Sequence, residues 1–193
     1  MALVLAVAAG TPGVAGAQSG PFAAVRAYPA GGIAAAGFQG GWPGVRSSPD
    51  PGRIESGAWL GYNVTRRRDW GEHDDERGGG FGGGAEVAWF PGDVSGGWFA
   101  GTRASVWRLR IDWRDDPPTP LGPVRVGRTD VLVIQPTLRG GYRFRLAGTT
   151  DGSHSRGVRL DVEAALGVEI NTSVDGEDVG QGAILLIGMK VGL

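Results

Sequence analysis

Between Val131 and Leu146 the chain alternates without interruption. Leu132, Ile134, Pro136, Leu138, Gly140, Tyr142, Phe144 and Leu146 are apolar or small. After Val131 and Val133, the other parity runs Gln135, Thr137, Arg139, Gly141, Arg143, Arg145. Side chains of a strand point alternately to its two faces, so the segment presents one apolar wall and one polar, cationic wall. Residues 158–171 repeat the arrangement. Val158, Leu160, Val162, Ala164, Leu166, Val168 and Ile170 oppose Arg159, Asp161, Glu163, Glu169 and Asn171. The same period predicts strands at 53–66, 81–90, 98–113 and 182–193, with two shorter ones at about 22–28 and 31–41 broken at Pro29-Ala30-Gly31-Gly32. In the segment 98–113, Arg103 and Ser105 share a parity with Trp107, Leu109 and Ile111, which suggests a bulge near its middle. Turn-forming and charged stretches at 66–80, 91–97, 114–129, 147–156 and 172–181 separate the strands.

Strands joined in sequence form an antiparallel meander, and an even number of them returns both ends to one side. The expected fold is all-β: an antiparallel up-and-down transmembrane β-barrel of eight strands. Strands of this length are long for a soluble sandwich, whereas a tilted spanning strand needs about 9–11 residues plus its extensions. The polar walls predict a lumen charge network of Arg139, Arg143, Arg145, Arg159, Asp161, Glu163 and Glu169. Alternation alone also fits a soluble barrel whose apolar face points inward.

The N-terminal residues add an export expectation. The apolar run Leu3–Ala9 followed by Ala15-Gly16-Ala17 reads as a signal peptide over residues 1–17, with a single barrel domain over 18–193. No Lys or Arg precedes the run, as expected if the true start lies upstream. The chain has 193 residues, 37 glycines, no cysteines and a net charge of −1. No disulfide can staple it, and no basic field suggests nucleic acid.

Several stretches carry a resemblance. Arg67-Arg68-Asp69-Trp70-Gly71-Glu72-His73-Asp74-Asp75-Glu76, Ile111-Asp112-Trp113, Gln135-Pro136-Thr137, Gly141-Tyr142-Arg143-Phe144, Glu169-Ile170-Asn171 and Val179 to Leu185 resemble small outer-membrane β-barrel proteins of double-membraned bacteria, of the OmpA/OmpX-like eight-stranded kind. The likeness covers about residues 53–193. It implies a barrel fold, an outer-membrane location and no known catalytic activity. The last strand, apolar at Ala183, Leu185, Ile187, Met189, Val191 and Leu193, resembles the signal read by the barrel assembly machinery, although it ends in Leu rather than Phe or Tyr. The partners expected are therefore outer-membrane lipid and that machinery, with a monomeric chain and no nucleic acid.

Candidate chemistry is sparse. Arg67, Arg68, Asp69, Trp70, Glu72, His73, Asp74, Asp75 and Glu76 read as an extracellular loop. Its carboxylates beside one imidazole, completed by Asp175, Glu177 and Asp178, could hold a cation. Without EF-hand spacing, a solvated loop with acids paired to Arg66, Arg67, Arg68 and Arg77 is the favoured reading, and no metal or cofactor is expected. His73 and His154 fall on opposite rims, and Gly152-Ser153-His154 lacks the frame of a nucleophile elbow, so no enzyme is expected. The run Gly78–Gly84 has no phosphate-loop Lys-Ser/Thr and reads as a hairpin shoulder. Trp89, Trp98 and Trp113 suit an interfacial girdle, Trp59 and Trp107 either girdle or core, and Trp70 with Trp113 a stacking platform for sugar. The function expected is a structural or surface-interaction role. The alternatives are a narrow channel for small anionic solutes or a soluble lipocalin-like carrier of an apolar ligand.

Overall fold

A computed structural model describes residues 20–41, 53–92, 96–117, 122–151 and 154–193. The expected signal peptide and the Gly152-Ser153 pair lie outside them. Eight strands run in chain order: β1 (Gly20–Tyr28), β2 (Gly31–Gly41), β3 (Arg53–Arg68), β4 (Asp75–Phe90), β5 (Gly97–Asp115), β6 (Arg125–Asp151), β7 (His154–Asp175) and β8 (Gly182–Gly192). Each pairs antiparallel with its sequence neighbours, and β1 pairs with β8 from Phe22↔Gly192 to Ala27↔Ile187, closing the barrel. The fold is the eight-stranded up-and-down barrel that the alternation predicts. One rim, here called proximal, is where β1 begins and β8 ends. The distal rim carries the β1–β2, β3–β4, β5–β6 and β7–β8 turns.

Burial follows parity. On β6 the residues Val131, Val133, Gln135, Thr137, Arg139 and Arg143 are buried, whereas Leu132, Ile134, Leu138, Phe144 and Leu146 are exposed. On β8, Ile184, Leu186 and Lys190 point in, and Leu185, Ile187, Met189, Val191 and Leu193 point out. Charged and polar side chains therefore share the interior with apolar ones, whereas the outward residues of the strand centres are apolar or small.

The strands extend further than expected. β3 and β4 pair out to Arg68↔Asp75, so the anticipated 66–80 loop shrinks to a turn at 69–74. Asp69 takes a positive φ of 60° there and donates its N–H to the carbonyl of Asp74 at 2.8 Å. Residues 147–151 are not a connection; they pair with 154–158. No bulge interrupts β5, which pairs in continuous register with β4 and β6. Arg103, Ser105, Trp107, Leu109 and Ile111 all face the lumen, and the mixture reflects a lumen whose lining changes character with height. The run Gly78–Gly84 is likewise no shoulder but mid-strand, inside β4.

Arg145 departs from the expected lumen set. It pairs in register with the buried Arg159 at the last position before a register shift near the proximal rim, and its side chain is exposed. Trp113 also departs: it is buried inside the distal end of β5 rather than set in an outer girdle. Trp89 and Trp98 do face outward.

Candidate functional site

Among the described residues, buried chemistry-bearing side chains converge in the lumen, which is layered. Nearest the proximal rim, Arg26, Arg103, Arg139, Arg143, Arg159 and Lys190 meet Glu55, Glu86, Asp161 and Glu163, all of them buried. Arg143 is the hub. Its Nη1 and Nη2 donate to both Glu55 oxygens at 2.9 and 2.8 Å, while Nε and Nη2 donate to Asp161 at 2.6 and 2.8 Å. The guanidinium lies 4.5 Å from the centre of the Phe90 ring. Arg139 bridges Glu86 and Glu163, both at 2.8 Å, from over the Phe99 ring. Arg26 reaches Glu163 at 2.8 Å, and Lys190 reaches Glu86 at 2.9 Å and Asp161 at 3.2 Å. These residues come from strands all round the barrel, so each ion pair ties distant walls together.

Above this layer the lining becomes aromatic. Trp59 and Trp107 pack with ring centroids 5.4 Å apart, and the Trp107 indole N–H donates to Gln135 Oε1 at 2.7 Å. Glycines on the facing walls leave the rings their space. A Cβ at Gly82 would stand 2.4 Å from Trp107 Cε3, and one at Gly84 would stand 2.8 Å from Trp59 Cζ2. The Gln135 amide donates in turn to Glu169 at 2.8 Å, the start of a second charged layer. There Arg67 links Glu169 to Glu76. Glu76 also accepts backbone N–H groups of Glu72 at 2.9 Å and Gly180 at 3.0 Å.

The distal rim is capped from within. The His73 ring stacks on Trp113, with centroids 4.2 Å apart and planes 8° off parallel. His73 Nδ1 lies 3.0 Å from Asp115, and Nε2 donates to the Asp178 carbonyl at 2.9 Å. Val179 is buried beside this cap, and Arg125 reaches Glu177 at 2.7 Å. The loop expectation is corrected here. Arg67, His73 and Glu76 are buried parts of the lumen and its cap, while Arg68, Asp69, Trp70, Glu72 and Asp74 stay exposed. Of the acids considered for a cation, Glu76 is held by Arg67 and backbone amides, Asp75 by Arg77, Asp74 by the Asp116 amide and Glu177 by Arg125, and among the described residues no group of three His, Asp or Glu side chains is placed to hold a metal ion. Trp113 cannot serve a sugar platform with Trp70, because its ring lies under His73.

Sequence reasoning found Arg139, Arg143, Arg159, Asp161, Glu163 and Glu169 but missed Arg26, Glu55, Glu86, Arg103 and Lys190 as members of the network. Each is a charge set among apolar, small or glycine residues on the inward parity of its strand, which is the signal that identifies them. Chemically the arrangement braces. Trp107, Arg143, Lys190, Gln135 and Glu76 are each fully enclosed, so packed side chains rather than an aqueous path occupy the barrel axis.

The outer surface carries its own geometry. Leu60, Phe81, Trp98, Leu138, Leu166 and Ile187 stand out in an apolar belt. On β5 the belt runs from Trp98 to the first outward charge, Arg108. Roughly ten residues at about 3.4 Å each, tilted about 40°, give a height of about 25 Å. Aromatic pairs mark both borders: Trp98 against Tyr142 toward the proximal rim and Tyr62 against Phe81 toward the distal one. Beyond it lie exposed ion pairs. Hydrogen bonds from Arg77 hold the Asp75 carboxyl below its usual pKa, and those from Arg128 do the same for Asp112.

No protein-family model matches the sequence, and neither does any curated protein. Among solved structures, the chain is similar to the beta domain of the Bordetella autotransporter BrkA, at 15% identity over 89% of this chain and 98% of that one, with a TM-score of 0.39. It is also similar to Neisserial surface protein A, at 12% identity over 91% of this chain and 94% of the other, with a TM-score of 0.37.

Proposed function

We propose that this protein is an outer-membrane β-barrel that acts as a sealed scaffold, presenting its distal turns for structural or surface-interaction roles. The observation that carries the reading is the inversion of polarity: ion pairs inside, and an apolar belt of about 25 Å outside, the height of hydrocarbon that such barrels cross. A soluble carrier of an apolar ligand needs the opposite arrangement, with its greasy wall facing inward. The closed ring satisfies backbone hydrogen bonds without an exposed edge, which hydrocarbon demands. The outward apolar residues of β8, from Ala183 to Leu193, support recognition of that strand by the assembly machinery.

The filled lumen supports a scaffold rather than a channel for anions. Reconstituted into a planar bilayer, the folded protein is expected to show no steps of conductance in potassium chloride. Discrete, anion-selective openings would reinstate the channel reading, with Arg139, Arg143 and Arg159 as the selecting residues.

A further inference from the structure

At the distal border of the belt the outward residues turn from apolar to cationic. Arg66 and Arg68 follow Val64 on β3, Arg77 lies beyond Phe81 on β4, Arg108 and Arg110 follow Val106 on β5, and Arg128 lies on β6. The register sets Arg66 directly opposite Arg77 and places Arg108 between Phe81 and Leu132. Outward acids engage part of this collar: Asp75 holds Arg77 at 3.1 Å, Asp130 holds Arg110 at 3.1 Å and Asp112 holds Arg128 at 2.5 Å. Among the described residues, Arg66 and Arg108 reach no carboxylate within ion-pair distance. Like charges set opposite each other on a sheet repel; Asp75, hydrogen-bonded to Arg77, answers part of that repulsion, and Arg66 and Arg108 are the heads left open to a further anion.

We infer that this collar binds the phosphate of anionic lipid headgroups. The inference rests on the membrane-spanning reading. A guanidinium offers a planar fork of donors that matches phosphate oxygens. A lipid held there lays its chains on Tyr62, Phe81, Val106 and Leu132, the exposed apolar residues beside and below these arginines. The arginine stems lie along the same apolar surface while their heads reach the headgroup plane. Arg66 and Arg108, having no carboxylate to surrender, are the contacts with most to gain.

The test is lipid retention by the intact chain in detergent micelles, read by native mass spectrometry with phosphatidic acid and phosphatidylcholine of equal chain length. The wild-type protein retains phosphatidic acid at least tenfold better than phosphatidylcholine. Each arginine near an anionic headgroup is worth about fivefold. The double variant Arg66→Gln with Arg108→Gln therefore brings the preference close to parity, while Arg114→Gln, already paired with Asp116 at 2.8 Å, leaves it in place. Absence of preference in the wild type, or its survival in the double variant, overturns the inference. Flotation of each protein with phosphatidylcholine vesicles separates the two levels. Protein that floats without headgroup preference removes only the lipid site, whereas protein that fails to float removes the membrane reading with it.

Discussion

Replacing Arg143 with alanine is expected to lower the unfolding free energy by about 3–5 kcal/mol, the largest loss of any single substitution in the lumen. The reason is what remains behind. Glu55 and Asp161 are buried and each accepts two hydrogen bonds from one guanidinium that serves both carboxylates at once. Without Arg143 the two carboxylates retain only Lys190, 3.9 Å from Glu55 and 3.2 Å from Asp161, and Arg159, 3.5 Å from Glu55. An unpaired buried charge costs more than the pair ever contributed, so neutralising the stranded acids should recover part of the loss. Glu55→Gln with Asp161→Asn in the Arg143→Ala background tests that directly. By contrast Arg110→Ala, which opens an exposed pair with Asp130, should cost no more than about 1 kcal/mol. Urea titrations of the protein folded in vesicles, followed by tryptophan fluorescence, measure all three.

The second large effect is on the outer wall. Leu166 is 62% exposed and Val162 is 39% exposed, both on the outward parity of β7. An arginine at either position sets a charge in hydrocarbon and should cost about 2–4 kcal/mol near the midplane, enough to block assembly in cells. Leu160→Arg, on the same face nearer the proximal rim, should follow the same direction. Arg159→Ala is a different case. Arg159 points inward but holds Glu55 only at 3.5 Å and the Leu193 carbonyl at 3.2 Å, and Glu55 keeps Arg143. Its removal should cost about 1 kcal/mol. Membrane fractionation and urea midpoints of the three arginine insertions against Arg159→Ala give the ranking. The reverse order would mean that the two faces have been exchanged.

How much of this is legible in the sequence depends on whether a face keeps one chemistry along its length. β6 and β7 do so through their central residues, and their parity places Leu138, Leu166, Arg139 and Glu163 correctly. β5 does not. Its inward face runs from Phe99 through Arg103 and Ser105 to Trp107, Leu109 and Ile111, and a rule expecting a uniform face reads the change as a bulge. The lumen of a narrow barrel must be filled, and large apolar rings fill it as well as ion pairs do, provided that glycines such as Gly82 and Gly84 face them. The charge run around Arg67 and Glu76 misleads for a related reason. Charges bunched in sequence look solvated, and only the register of β3 against β4 shows alternate members entering the lumen. His73 is invisible in the same way, since its partners Asp115 and Asp178 lie on other turns. Arg145 marks a limit of parity of another kind: it stands in register opposite the buried Arg159 and is nevertheless exposed, at the proximal end of the strand where parity no longer decides burial.

Everything functional in this account depends on hydrocarbon, and not water or protein, covering the outward residues. The chain contains no cysteine, so a spin label can be placed at one position, and Leu138, 70% exposed in the middle of the belt, is the position of choice. Power-saturation spectroscopy of Leu138→Cys, labelled and folded into vesicles, compares collisions with membrane-soluble oxygen and a water-soluble nickel chelate. Oxygen access far exceeding that of the chelate is the predicted result; a label reached more readily by the chelate would contradict it.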